Sequence, residues 1–313
     1  MAVSKKKILI TFYTDGSPCY DLTNEKEWVQ RISRWSFDDF IAFTPQKVKE
    51  MGGEQYIKQH NHELQFNKHH NLLGYCAWKP FIILKTLETL QDGEVVVYTD
   101  VNVSKYPCYI GLLSTMDKHI EKWFRDYGCD FIIFGESMYK KMSMFSRKIT
   151  MTEICGKINY DFPSVCANFM LFRKSEQSIK IATDWLQLCT NMEYMVETKE
   201  DHGDLDFEHL CPEQSVINAL VCHYEDTGFL PKGYPFYYTN DRLRYRNIID
   251  DKQNRACQSK TFVMLQKYNK KIKTSFQDLH HVLIGPPQRS KDVVSEKVKK
   301  KNIDEEYIDT TTE

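Results

Sequence analysis

Asp100 and Asn102 are the side chains best placed for chemistry, because their motif at 98–102 lies at the end of a strand-like apolar run at 94–97. Side chains alternate along an extended chain, so these two point to the same side. A carboxylate and an amide oxygen together can bind a hard divalent cation such as Mg²⁺ or Mn²⁺. Ligands of α/β sheets bind beyond the carboxyl ends of strands, where this pair is expected. The alternative is a turn, because Asp and Asn often hydrogen-bond their own backbone.

Lys79 and Glu213 are charged residues in the first turns of two predicted helices. The free N–H groups of a first helical turn, with an adjacent lysine, form a reasonable phosphate site. The alternative for Lys79 is a solvent-exposed side chain beside a core Trp78. Glu213 and the neighbouring Gln214 can point into a cleft, where a carboxylate can orient an acceptor hydroxyl or act as a base.

Three weaker candidates complete the set of polar groups. Thr11 and Tyr13 end the first predicted strand, where an aromatic ring and a hydroxyl can stack on a base and bind a ribose, although Tyr13 fits a core equally well. His280 and His281 are adjacent, so at most one is expected to be a metal ligand; the commoner outcome is a surface or core histidine. The acidic and imidazole cluster at 202–209 is typical of a solvated loop.

Alternating strands and helices must position these side chains, and this alternation predicts an α/β sheet with a parallel core. Besides the strand leading to residue 100, strands are predicted at 6–13, 37–43, 130–134 and 167–173, and helices at 25–33, 55–66, 78–90, 110–127, 176–189 and 212–221. The tail at 290–313 is highly charged and is predicted to be disordered. We therefore expect a single domain over residues 1–289, followed by that tail.

Composition and the absence of several motifs argue against some classes of function. With 42 Lys and Arg against 43 Asp and Glu, the net charge of −1 gives no argument for nucleic-acid or anionic-membrane binding. No apolar stretch approaches the roughly 20 residues that span a bilayer, and the first apolar segment is too short for a signal peptide. The 10 cysteines form no CxxC pair or Cys/His metal spacing, which favours reduced thiols and a cytoplasmic location. No P-loop, GxGxxG, GxSxG or HExxH pattern is present.

Several sequence blocks, taken in order, are similar to a known family. The blocks are Gly-Tyr-Cys-Ala-Trp-Lys-Pro at 74–80, Tyr-Thr-Asp-Val-Asn at 98–102, Asn-Phe-Met-Leu-Phe-Arg-Lys at 168–174 and Glu-Gln-Ser-Val at 213–216. This order resembles GT-A-fold glycosyltransferases of bacterial surface-polysaccharide clusters and large DNA viruses. Their pattern is a Gly-x-Trp-x-Trp-Lys-Pro helix followed by a Tyr-x-Asp strand end. The similarity extends to about residue 217.

The resemblance implies a role for each candidate residue. It implies catalytic residues Glu213 and Gln214, nucleotide-sugar contacts from Thr11, Tyr13, Trp78, Lys79 and Asp100, and metal ligands Asp100, Asn102 and His280 or His281. Asn102 is a neutral donor and would bind a metal more weakly than a carboxylate. Glu213 stands where the family has Asp and reaches one methylene further.

These observations lead to one expectation and two alternatives. We expect a GT-A-like (Rossmann-like) α/β fold with a mixed, mostly parallel central sheet flanked by helices. The expected activity is transfer of a sugar from a nucleoside-diphosphate sugar, a UDP-sugar first of all, to a glycan or glycoconjugate hydroxyl with Mn²⁺ or Mg²⁺. A sugar nucleotidyltransferase ranks lower, because the turn at 15–18 is a poor match for a Gly-rich loop. A degenerate GT-A domain that binds nucleotide or glycan without turnover is the third possibility.

Overall fold

The structure is a computed structural model. In the part of the chain that it describes, helices flank a mixed β-sheet. The described residues are 5–16, 21–61, 71–101, 112–135, 140–204 and 206–232, and all belong to one compact unit, Met1–Phe262. The predicted boundary at 289 and the predicted tail at 290–313 lie outside these residues. The α/β class and the flanking helices are confirmed.

The strands and helices alternate along most of the chain. The strands are β1 (Lys7–Phe12), β2 (Asp39–Phe43), β3 (Gln59–Asn61), β4 (Asn71–Leu73), β5 (Val95–Thr99), β6 (Phe131–Gly135) and β7 (Val165–Arg173). The helices are α1 (Thr23–Ser33), α2 (Pro45–Glu50), α3 (Trp78–Glu88), α4 (Ile120–Tyr127), α5 (Lys148–Cys155), α6 (Glu176–Leu188), α7 (Met192–Met195) and α8 (Pro212–Asp226).

The expectation of a mostly parallel sheet is wrong. Among the described residues, five strands form one open sheet in the order β2-β1-β5-β7-β6, and β3 and β4 form a separate antiparallel pair. β1 pairs in parallel with both β2 and β5, whereas β7 is antiparallel to both β5 and β6. Strand–helix alternation predicts crossovers between parallel neighbours, but it does not reveal that a late strand inserts between two earlier ones in the opposite direction.

The apolar core lies on both faces of the sheet. Alternate residues of β1 separate to the two sides: Ile8 and Ile10 face one apolar cluster and Leu9 faces the other. Helices α3, α5, α6 and α8 contribute to the first cluster, and α1 and α4 contribute to the second. Because β5 is buried on both sides, all of Val95–Thr99 is inaccessible to solvent, which explains its continuous apolar run.

Two predicted helices differ from the observed elements. Within the predicted helix at 55–66, Gln59–Asn61 is a strand paired with Asn71–Leu73, so that prediction is wrong there. Its polar composition carried no signal for a partner strand that comes later in the chain. The predicted helix at 110–127 is confirmed for Ile120–Tyr127, but a 3₁₀ turn occupies Met116–Lys118.

A left-handed turn leads directly into α3 and fixes where that helix begins. Gly74, Tyr75 and Cys76 have φ angles of +56°, +49° and +62°. Left-handed backbone costs a non-glycine residue roughly 1–2 kcal/mol, so the surrounding structure must hold Tyr75 and Cys76 in place. A Cβ atom on Gly74 would stand 1.8 Å from the carbonyl oxygen of Tyr56, so glycine is required there for space as well as for conformation.

We expect Gly74→Ala to lower the free energy of unfolding by about 2–3 kcal/mol, through left-handed strain together with the backbone clash. The matched control is Gly128→Ala at the end of α4. Gly128 also has a positive φ, +66°, but an added Cβ would meet nothing within 4 Å. Its cost is therefore the conformational one alone, about 1 kcal/mol. Urea denaturation measures both variants, and equal losses would contradict the close approach at Gly74.

Candidate active site

Asp100 extends the central strand β5 beyond the sheet. Its backbone N–H donates to the carbonyl oxygen of Asn168 at 2.9 Å, so the backbone is still held by β7. Its side chain is 31% exposed, directly after five buried residues. A carboxylate therefore reaches solvent at the carboxyl end of a buried central strand, as the sequence predicted for this position.

One oxygen of Asp100 is held by the protein. The Tyr98 hydroxyl donates to Oδ1 at 2.5 Å, and the Lys79 ammonium nitrogen lies 3.6 Å from the same atom. Burial raises the pKa of Tyr98 well above its ordinary value, and the charge of Asp100 raises it further, so the hydroxyl stays protonated and donates. Within the described part of the chain, Oδ2 accepts no hydrogen bond. One oxygen is anchored and the other is available.

Lys79 is the centre of this site. Only 6% of its side chain is exposed, and its ammonium donates to Glu213 Oε1 at 2.5 Å and to the carbonyl oxygen of Ala167 at 3.1 Å. Burial lowers the pKa of Lys79, but the charges of Asp100 and Glu213 outweigh burial and hold this pKa above its ordinary value. The ring centroids of Tyr98 and Trp78 lie 5.4 and 5.9 Å from the ammonium nitrogen. The positive charge of Lys79 is thus enclosed by protein groups.

Helix α8 places Glu213 and Gln214 against the first residues of β7. The N–H of Ala167 donates to Gln214 Oε1 at 3.3 Å, while the carbonyl of the same residue accepts from Lys79. One turn later, Asn218 accepts from the N–H of Val165 and donates to the carbonyl of Pro163, both at 3.0 Å. The register between β5 and β7 ends at Thr99 and Phe169, so these side chains provide partners for backbone groups in the first residues of β7, before that register begins.

Glu213 is fixed from two directions. Its side chain is 9% exposed and contacts Lys79, and its backbone carbonyl accepts a hydrogen bond from Trp185 Nε1 at 2.9 Å. Gln214 is more accessible: its oxygen must face the N–H of Ala167, so its amide NH₂ group is directed elsewhere. Within the described residues, no hydrogen bond involves that NH₂ group.

The residues of the first strand lie beside this group. Thr11 is fully buried, and its hydroxyl donates to the carbonyl of Thr99 at 2.7 Å, which joins the carboxyl ends of β1 and β5. Tyr13 is half-buried, with the ammonium nitrogen of Lys26 5.6 Å from its ring centroid. Thr11 therefore supports the strand ends, while Tyr13 offers a partly accessible ring at the same edge of the sheet.

Trp78 is a core residue in this structure. It is 8% exposed, its ring stacks on Phe12 with centroids 3.8 Å apart, and its Nε1 donates to the carbonyl of Leu73 at 3.2 Å. The predicted contact of Trp78 with a nucleotide sugar stays a prediction. Its observed packing anchors the first turn of α3, and thereby Lys79, against β1.

The other predicted metal ligands belong to parts of the chain that the structure does not describe. Asn102, His280 and His281 lie outside the described residues. Within those residues, no group of three or more His, Cys, Asp or Glu side chains is arranged to hold a metal ion. Of the predicted metal ligands, Asp100 is therefore the one that the structure describes.

The acidic and imidazole cluster at 202–209 has internal partners. The fully buried Glu197 carboxylate lies 2.7 Å from His202 Nε2 and accepts from the N–H of Leu210 at 2.7 Å. Asp204 pairs with Lys148 and Glu208 with Lys140. These contacts hold the segment that leads into α8 in place. The cluster therefore stabilises the position of α8 and is not itself part of the site.

Two members of the site were absent from the sequence-based set. From the sequence, Tyr98 was considered only as part of the motif at 98–102. Side chains alternate along a strand, so Tyr98 lies on the same side as Asp100, and their hydrogen bond could have been expected. Ala167 acts through its backbone, so its residue type carries no signal. The pairing of Lys79 with Glu213 joins residues 134 positions apart and depends on tertiary structure.

Comparisons with known proteins found no matching family model, no matching curated protein and no matching solved structure. Among the helices of the described residues, none has the length and apolar character needed to cross a membrane.

Proposed function

We propose that this chain is a GT-A-like, divalent-metal-assisted glycosyltransferase. It would move a sugar from a nucleoside-diphosphate sugar, with UDP-sugars as the first candidates, to a hydroxyl of a glycan or glycoconjugate, in the cytoplasm. The observation that carries the proposal is Asp100, a partly exposed carboxylate at the carboxyl end of the buried central strand, with one oxygen anchored and the other available. The resemblance of the blocks around it supports sugar transfer as the reaction class.

The charges around Asp100 support cation binding. One ammonium, Lys79, faces the two carboxylates of Asp100 and Glu213, so the three side chains together carry one net negative charge. The outward oxygen of Asp100 is a hard donor of the kind that Mg²⁺ and Mn²⁺ prefer. A cation held there would stabilise negative charge on a departing diphosphate. Asn102 and His280 or His281 remain the predicted additional ligands.

The enclosed position of Lys79 changes its proposed role. The sequence suggested that Lys79 binds phosphate directly, but its ammonium already contacts Glu213, Ala167 and Asp100. We therefore assign Lys79 as a positioning residue, which holds Asp100 on one side and Glu213 on the other. In this proposal a cation at Asp100 would supply the charge neutralisation of the diphosphate; among the described residues, Lys79 is the lysine or arginine that contacts Asp100.

In the transfer itself, the bond between the anomeric carbon and the diphosphate oxygen breaks, and its electron pair leaves with the diphosphate. The acceptor oxygen bonds to the anomeric carbon and loses its proton. In an inverting reaction a base takes that proton, and Glu213 remains the predicted base. Glu213 would accept it through Oε2, since Oε1 accepts from the Lys79 ammonium at 2.5 Å. The NH₂ group of Gln214, which bonds to none of the described residues, is suited to orienting a sugar hydroxyl.

A second candidate function is a domain that binds nucleotide or glycan without turnover. The observation that favours it is the buried pair of Lys79 and Glu213, because each side chain neutralises the other. A protein with no free base at the site binds its ligand but does not activate an acceptor. The two functions differ in whether the donor is consumed.

A donor panel separates these functions. The purified full chain is incubated with uridine and guanosine diphosphate sugars, with Mn²⁺, with Mg²⁺ or with a chelator, and the released nucleoside diphosphate is measured. We expect slow hydrolysis of at least one donor with a metal and none with the chelator. A donor that binds without hydrolysis or transfer favours the binding domain. Pyrophosphate released from a nucleoside triphosphate and a sugar phosphate would indicate the nucleotidyltransferase, and neither binding nor release would contradict the proposal.

A further inference from the structure

The two oxygens of Asp100 lie in different environments. Oδ1 faces the protein: the hydroxyl of the fully buried Tyr98 donates to it at 2.5 Å, and the ammonium of Lys79 is 3.6 Å away. Oδ2 accepts no hydrogen bond from any described residue. Both observations come from the geometry of β5 and α3, and neither was expected from the sequence.

This difference would confine a cation to one oxygen of Asp100, Oδ2. A divalent ion bonded to Oδ1 would compete with the Tyr98 hydroxyl for the lone pairs of that oxygen. It would also lie within a few ångströms of the Lys79 charge, where two positive charges repel strongly in a partly buried site. At Oδ2 a cation competes with no donor of the described residues, and it stands further from the Lys79 charge. The structure thus favours ligation of a cation by a single oxygen of Asp100.

We propose that Tyr98 is a residue that determines cation specificity: by holding Oδ1 it adds to the effect of the Lys79 charge in disfavouring two-oxygen ligation by Asp100, and so favours Mg²⁺ or Mn²⁺ over Ca²⁺. The physical reason is the different demands of the ions. Ca²⁺ takes six to eight oxygen ligands and often uses both oxygens of a carboxylate, whereas Mg²⁺ requires a compact octahedron and uses one. The inference rests on the proposed function, because it assumes that Asp100 binds a cation.

The test is direct cation binding by the full chain. The electron paramagnetic resonance signal of free Mn²⁺ reports binding of Mn²⁺ alone, and competition with Mg²⁺ and Ca²⁺ gives the ratio of their affinities. We expect wild type to prefer Mg²⁺, and we expect Tyr98→Phe to narrow the Mg²⁺-to-Ca²⁺ ratio by about tenfold, because a charge-assisted hydrogen bond no longer reserves Oδ1. Tyr194→Phe is the matched control: its hydroxyl donates to the Glu153 carboxylate at 2.6 Å, and its loss should leave the ratio unchanged.

A second variant covers the case in which Tyr98→Phe does not fold. In Asp100→Asn, the Tyr98 hydroxyl requires an acceptor and the nearby Lys79 charge repels an NH₂ group, so the amide oxygen must turn inward and the NH₂ group outward. We expect this variant to lose Mn²⁺ binding completely, although an amide oxygen is otherwise an acceptable ligand.

The outcomes separate this inference from the proposed function. An unchanged ratio in folded Tyr98→Phe would overturn the inference and leave the metal site intact. Retained Mn²⁺ binding in Asp100→Asn would overturn the inference and would also show that the cation binds elsewhere than at Asp100. Wild type that binds no Mn²⁺ would overturn both. A narrowed ratio in Tyr194→Phe as well would assign the effect to a general loss of stability and would also overturn the role of Tyr98.

Discussion

Lys79→Met is expected to lower the free energy of unfolding by about 3–5 kcal/mol, because it leaves a buried carboxylate without its partner. The Glu213 side chain is 9% exposed, and its Oε1 loses a donor at 2.5 Å. The carbonyl of Ala167 loses its 3.1 Å contact in the same step. The methionine fills most of the lysine volume, so the loss comes from charge and hydrogen bonding. Urea denaturation at neutral pH measures it.

Two further variants test this explanation. Lys85 lies on the same helix and pairs with Glu88 at 2.8 Å, but their side chains are 37% and 47% exposed, so Lys85→Met should cost less than about 1 kcal/mol. The double variant Lys79→Met/Glu213→Gln removes both buried charges, and we expect it to be more stable than Lys79→Met alone. Equal losses for Lys79→Met and Lys85→Met, or no recovery in the double variant, would contradict a buried ion pair at this position.

The positions of individual strand and helix ends were predictable, because they follow from local patterns. The β-branched run before Asp100 and the proline in the first turn of α3 are signals carried by neighbouring residues. Both elements appear within a few residues of their predicted bounds. Asp100 is accordingly found at the end of a buried strand, as expected.

The arrangement of those elements was not predictable in the same way. The direction of β7 follows from its insertion between β5 and β6, which no local pattern encodes. For the same reason, the sequence placed Lys79 beside phosphates and Glu213 beside an acceptor, whereas the structure brings the two side chains into contact. A single sequence gives residue types and periodicity, but a charge pair between distant helices depends on how the sheet assembles. Both functional assignments stay predictions, now with a specific geometry to test.

Asp100→Ala is expected to reduce metal-dependent turnover of the donor by about 10²–10³-fold, the scale of losing one electrostatic group that acts on a leaving group. The fold should survive. Lys79 keeps its contacts with Glu213 and Ala167, so no buried charge is left unpaired. The buried Tyr98 hydroxyl loses its acceptor, at a cost of about 1–3 kcal/mol. Steady-state kinetics and urea denaturation on the same preparation measure both effects.

Asp92→Ala is the matched control for this variant. Asp92 is an exposed aspartate just before β5, at the opposite end of the same strand, so its removal should change neither turnover nor stability appreciably. If Asp100 acts through a cation, raising the Mn²⁺ concentration should recover part of the lost activity in Asp100→Ala, since weaker binding is offset by mass action. Unchanged turnover in Asp100→Ala would remove the metal site from the mechanism. Lost turnover that no concentration of Mn²⁺ restores would instead assign Asp100 a direct contact with the donor, because added metal cannot replace a missing contact.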